Sequence, residues 1–85
     1  MGSQKALESK SYILLCDALK EWREQSGQTQ IQLSVRLSRP QSYISKCESG
    51  HRRMDSIEMY EYASACGVSW EEVGQVIKKA IKAGG

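Results

Sequence analysis

Apolar residues recur along this chain at steps of three and four from Tyr12 to Ile81, and nowhere alternate with polar ones as a half-buried strand requires. That period puts them on one side of a helix, so the expected fold class is all-α. Over residues 9–26, Tyr12, Leu15, Leu19 and Trp22 form one stripe, with Asp17, Lys20, Glu21 and Glu24 opposite and Gly27 as the stop. Thr29 followed by Gln32 has capping-box spacing and opens a short second helix that buries Leu33 and Leu37. Ser38, Arg39 and Pro40 then break the chain. Proline disfavours helical geometry at Arg39 yet suits the first helical position, so a third helix starts at Pro40 or Gln41 and stops at Gly50. After a loop over residues 51–55, Asp55 or Ser56 caps a fourth helix with Ile57, Tyr60, Ala63 and Cys66 at steps of three, ended by Gly67. Ser69 with Glu72 opens a fifth through Trp70, Val73, Val76, Ile77, Ala80 and Ile81.

The expected core is Leu15, Leu19, Leu33, Leu37, Ile44, Ile57, Ala63 and Val68, flanked by Trp22 and Tyr60. Trp22, Tyr60 and Trp70 are read as packing residues, the alternative being that they stack on bases. With 85 residues, 40% of them hydrophobic, there is room for one core. A chain this short buries roughly 60–65% of its unfolded surface, which excludes large enzyme folds and deep internal cavities. The expectation is a domain over residues 9–83, preceded by a flexible segment over residues 1–8. The longest apolar run, residues 12–16, stops at Asp17, and the first residues lack a secretory apolar region, so neither membrane span nor export is expected. Cys16, Cys47 and Cys66 form no C-x-x-C motif and fall on apolar stripes, which reads as reduced core thiols in a cytoplasmic protein.

A formal net charge of +2 is too small to indicate a nucleic-acid partner, but its distribution is polarised. Residues 36–53 carry Arg36, Arg39, Lys46, Arg52 and Arg53 against Glu48 alone. Residues 54–77 carry Asp55, Glu58, Glu61, Glu71 and Glu72 with no Lys or Arg, and Lys78, Lys79 and Lys82 follow. Such a pattern suits a protein with one face toward phosphate, the alternative being solvated charges without a partner.

Helices two and three are too short to stand alone in water and need tertiary support. Two short helices joined by a tight turn form a helix-turn-helix, whose second helix fits a major groove about 12 Å wide. The stretch TQIQLSVRLSRPQSYISKCESG, residues 29–50, resembles the helix-turn-helix of the lambda-repressor/Cro family. The likeness extends over roughly residues 10–75, through residues 22–27 and 63–68, Arg52, Arg53, Met54, Asp55 and Trp70. Two positions depart from the family pattern. Ser34 stands where Ala is common, and its hydroxyl then needs a backbone carbonyl. Ser38 stands where Gly is common, and is strained if the turn is left-handed.

The resemblance implies a five-helix lambda-repressor-like DNA-binding domain with a recognition helix over residues 40–48. It puts Gln41, Ser42 and Lys46 toward base edges, assisted by Arg39 and Tyr43, and their chemistry suits base reading. The alternative for these residues is an ordinary solvated helix face. Phosphate contacts are expected from Thr29, Gln30, Ser45, Arg52 and Arg53, with Arg36 equally placed for phosphate or for Gln32. Arg23 and Glu48 occupy the positions of a family ion pair between the first and third helices. His51 has no ligand or base constellation around it and reads as a loop residue near phosphate.

The fifth helix, over residues 69–83, is the candidate dimerisation element through Val73, Val76, Ile77, Ala80 and Ile81. The alternative is that it folds back wholly onto its own core. Symmetric pairing would place two recognition helices roughly 34 Å apart on a palindromic operator. Small controller proteins of restriction-modification systems and compact phage repressors resemble this arrangement. The reading is therefore a homodimeric, sequence-specific double-stranded-DNA-binding transcriptional regulator, repressing by default, with activation through Glu58 and Glu61 as the alternative mode. The rival is an antitoxin-like or adaptor module with secondary or no DNA binding. No catalytic pair, metal cluster or phosphate-cradling glycine loop is present in the sequence, so no enzyme activity, metal, cofactor or small-molecule ligand is expected.

Overall fold

The computed structural model describes residues 9–84; the expectation of a flexible segment over residues 1–8 lies outside the described residues. Five α-helices and no strand occur among them: α1 Lys10–Gln25, α2 Gln30–Leu37, α3 Gln41–Ser49, α4 Ser56–Ala65 and α5 Trp70–Gly84. Each start is set by a residue that satisfies an amide the helix leaves free. Ser9 accepts from the Tyr12 amide, and Thr29 and Asp55 form complete capping boxes with Gln32 and Glu58. Ser69 Oγ accepts from the Glu72 amide at 3.2 Å. Pro40 is the extended residue before α3, at φ −68° and ψ 155°, so the helix takes the second of its two expected starts.

Leu19, Leu33, Ile44, Cys47, Tyr62 and Val73 meet at the centre, fully buried, with Tyr12, Leu15, Cys16, Trp22, Met59 and Ala63 around them. Burying each large aliphatic side chain contributes about 1.5–3 kcal/mol, which is what holds the short α2 and α3 in place. α1 lies against α5, α3 and α4, while α2 packs on α3 and α4. Leu37 and Val68 pack at the edge of the core.

Two expected core contributions from α4 are overturned. Ile57 and Tyr60 are 66% and 55% exposed, and the inward face is instead Met59, Tyr62, Ala63 and Cys66. α4 is apolar around most of its circumference, so several stripes compete. The stripe through Tyr62 faces inward because its ring fills the centre while its hydroxyl donates to the Glu48 carboxylate. Trp70 is also largely in water, at 42%, its ring tilted against Tyr60 with centroids 6.0 Å apart.

α5 folds back against α1. Val73 and Ala80 are buried by this chain's own core, Val76 and Ile77 are half-buried against it, and of the five apolar positions only Ile81 is exposed. No helix among the described residues is long and apolar enough to cross a membrane.

Candidate nucleic-acid interface

α3 divides cleanly into two sides. Tyr43, Ile44, Cys47 and Glu48 face the core, while Gln41, Ser42, Ser45, Lys46 and Ser49 are exposed. At 3.6 residues per turn the exposed set is one continuous stripe. It contains the three principal base-reading candidates, Gln41, Ser42 and Lys46, and the phosphate candidate Ser45.

The turn ahead of α3 is left-handed. Ser38 takes φ 55° and ψ 44°, and its amide donates to Val35 O at 3.1 Å while that of Arg39 donates to Ser34 O at 2.9 Å. A side chain in this conformation costs roughly 1–2 kcal/mol relative to glycine. Ser34 is buried and finds the carbonyl it needs, donating to Ile31 O at 2.7 Å. The substitution is thus accommodated without an orphaned hydroxyl.

Beneath the stripe lies the Arg23–Glu48 pair, joining α1 to the end of α3. Arg23 Nε lies 2.6 Å from Glu48 Oε2 and Nη2 lies 3.0 Å from Oε1, with both side chains below a tenth exposed. Tyr62 and Gln30 donate to the same carboxylate. Burial alone would push the Glu48 carboxyl up, but the hydrogen bonds from Arg23, Tyr62 and Gln30 together hold it below its ordinary value. Gln30 extends this network outward: its Nε2 donates to Glu48 at 3.1 Å, and its Oε1 accepts from Gln41 Nε2 at 3.1 Å. The first outward residue of α3 is therefore tied to a buried charge pair through one amide.

Tyr43 departs from expectation. It is 7% exposed, so it cannot stand on the outer side of the helix, and its role is to carry cations. The Arg39 and Arg52 guanidiniums lie 4.4 and 4.9 Å from its ring centroid. Arg52 is not a free phosphate clamp either, because Nη1 and Nη2 each donate to Glu58 at 3.0 Å. Arg36 takes neither of its expected partners in the free protein; Nη1 donates to Ala65 O at 3.2 Å. Arg53 is exposed, stacked over the Tyr12 ring at 4.6 Å. Tyr12 pins this loop, donating to Arg52 O and accepting from the Met54 amide. The Thr29 hydroxyl is committed to the α2 cap. His51 is exposed in the loop, its Nδ1 2.8 Å from Ser49 Oγ.

Glu58, expected only for an alternative activation mode, and Tyr62 and Tyr12 were not among the residues expected at the DNA-facing site. For Glu58 the signal is its three-residue spacing from Asp55, which marks a carboxylate held at a helix start. For the two tyrosines no local signal exists, since each partner lies at least 14 residues away. Burial pushes the thiols of Cys16 and Cys47 up to about 11, leaving them protonated. Among the described residues no group of three or more His, Cys, Asp or Glu could hold a metal ion.

The arrangement offers amide, hydroxyl and ammonium groups on one helix edge, flanked by guanidiniums at both helix ends, which can hydrogen-bond base edges and meet phosphates. The helix-turn-helix domain family matches this chain over residues 14–76. A solved structure of an XRE-family like protein from Pseudomonas syringae pv. tomato str. DC3000 is 36% identical, covers 81% of this chain and 84% of its own, and superposes with a TM-score of 0.75. No curated protein matches.

Proposed function

The chain belongs to the Cro/lambda-repressor-type helix-turn-helix family of DNA-binding transcription regulators, and from that premise we propose that it reads a specific operator by inserting α3 into the major groove. The observation that carries this reading is the continuous exposed stripe of Gln41, Ser42, Ser45 and Lys46 on a helix whose opposite side is buried. Gln41 suits the N6 and N7 edge of adenine, Lys46 the O6 or N7 of guanine, and Ser42 either kind of edge. Ser45 and Arg53 supply the phosphate contacts that set register, with the hydroxyl proton that the α2 cap leaves on Thr29. Gln30, Arg36 and Arg52 join them only by giving up their present partners.

The operator is palindromic and the protein binds it as a homodimer. The pairing surface is the rim of an open groove of about 380 Å³ lined by Tyr12, Leu15, Met59, Ile77 and Ala80, with Trp70 and Ile81 exposed at its edge. Tyr60 adds exposed apolar area beside Trp70. Charge supports a second copy as the occupant: α5 carries Glu71 and Glu72 at its start and Lys78, Lys79 and Lys82 toward its end, all exposed. A two-fold axis across this helix sets each acidic end against the partner's basic end. Occupancy of the operator blocks polymerase, so the default outcome is repression.

Selection of bound sequences from a random duplex pool, repeated with Gln41→Ala and Lys46→Ala, tests the proposal. A palindromic preference that each variant changes at its own position is expected. Unaltered preference with uniformly weaker binding would move both residues to the backbone. A stable monomer that captures one stoichiometric protein partner and selects no sequence would overturn the reading.

A further inference from the structure

Glu58 stands in the first turn of α4, outside the helix-turn-helix, yet its carboxylate gathers both ends of α3. The side chain is 12% exposed. It accepts from the Asp55 amide at 3.1 Å, which closes the α4 capping box. It also accepts two bonds from Arg52, which follows α3, and lies 3.7 Å from Nη1 of Arg39, which precedes it. Both guanidiniums rest on the ring of Tyr43, in the first turn of α3. Two like charges gathered on one ring repel, and a single carboxylate against both offsets that repulsion.

The two arginines are held differently. Arg52 is clamped through two bonds of 3.0 Å, the bidentate geometry that fixes a guanidinium in place. Arg39 lies beyond hydrogen-bond distance at 3.7 Å and is about a third exposed, so it is aligned without being committed.

We propose that Glu58 is a positioning residue for specific DNA recognition: it holds Arg39 poised at the start of α3 for a base edge, and keeps Arg52 from binding phosphate indiscriminately. This rests on the operator-reading function above. Glu58 acts through the arginines, touching no DNA itself, and its effect is on the difference between cognate and random sequence.

The test compares wild type, Glu58→Gln, Arg39→Ala and the double variant on two duplexes, one selected by wild type and one of random sequence, across a salt series. Glutamine keeps an oxygen for the Asp55 amide, so the cap survives, and thermal melting sets an assay temperature at which every variant is folded. Glu58→Gln should weaken the selected duplex by about tenfold, the worth of one good contact. It should tighten the random duplex and steepen its salt slope by about 0.9, one further phosphate. In the Arg39→Ala background the loss on the selected duplex should vanish. Equal changes on both duplexes, or losses that simply add, would assign Glu58 a purely structural role. Equal wild-type affinity for both duplexes would overturn the operator-reading function, and this inference with it.

Discussion

Arg23 and Glu48, 25 residues apart in sequence, face each other through two bonds of 2.6 and 3.0 Å beneath the outer stripe of α3. Every remaining polar atom of the pair has work: Arg23 Nη1 donates to Gln28 O, and Glu48 accepts from Tyr62 and Gln30. Removing one partner leaves the other charge buried alone. Glu48→Gln should therefore cost about 3–5 kcal/mol, seen in urea titration and as a melting temperature lower by more than about 10 °C. An unchanged melting temperature would discard the pair as a stabilising element.

The same carboxylate makes stability depend on acid. Its pKa is lower in the folded state than unfolded, so its contribution is complete above the unfolded value, near 4.5, and is lost as pH falls through the folded one. Denaturant titrations at pH 7, 5, 4 and 3 should show the gap between wild type and Glu48→Gln narrowing below about pH 4.5. A constant gap would show that Glu48 does not carry this dependence.

On the alkaline side Tyr43 acts in the opposite sense. Burial pushes its hydroxyl up to about 12, so the folded state keeps a proton that the unfolded chain releases near 10. The sign follows: the Tyr43 contribution is unaffected below about pH 10 and declines as pH rises from there toward 12. Tyr43→Phe should flatten that part of the decline, measured by denaturant titration between pH 9 and 11.5.

Ser38, at φ 55°, is the one non-glycine residue with positive φ among those described. Ser38→Gly should relieve the left-handed strain while adding unfolded-state freedom, for a net gain of about 0.5–1 kcal/mol. Calorimetry should register a rise of a few degrees with DNA preference unchanged, since the side chain forms no part of the outer stripe. A fall would mean that the serine side chain contributes more than its backbone strain costs.

For the pairing surface, Ile81→Glu should shift the protein toward monomer in sedimentation velocity while leaving each chain folded, because Ile81 is 57% exposed. Exchanging Glu71 and Glu72 for lysine should do the same through charge. An unchanged sedimentation coefficient in both would reject this surface as the place where copies meet.

Much of the candidate site could be read without coordinates because local rules govern it. The Thr29–Gln32 box, the break at Pro40 and the stop at Gly50 bound the two short helices, and the exposed stripe follows from helical period once Ile44 is known to face inward. Tyr43 illustrates where such reading ends. Its spacing sets it beside Gln41 and Ser42, but whether a tyrosine there points out or in depends on Arg39, Arg52 and Glu58. α4 is a second case: Ile57 and Tyr60 form as good a stripe as Met59 and Tyr62, and the hydroxyl partners supplied by α1 and α3 separate them.

By itself, then, the chain determined its helices and their caps, because each depends on residues within about one turn of one another. The tertiary structure decided which tyrosines carry cations or donate to Glu48, where Arg36 and Arg52 spend their charge, and that α5 lies back on α1. Those outcomes turn on contacts between residues far apart in sequence, where burial and charge pairing choose among faces that look alike along the chain.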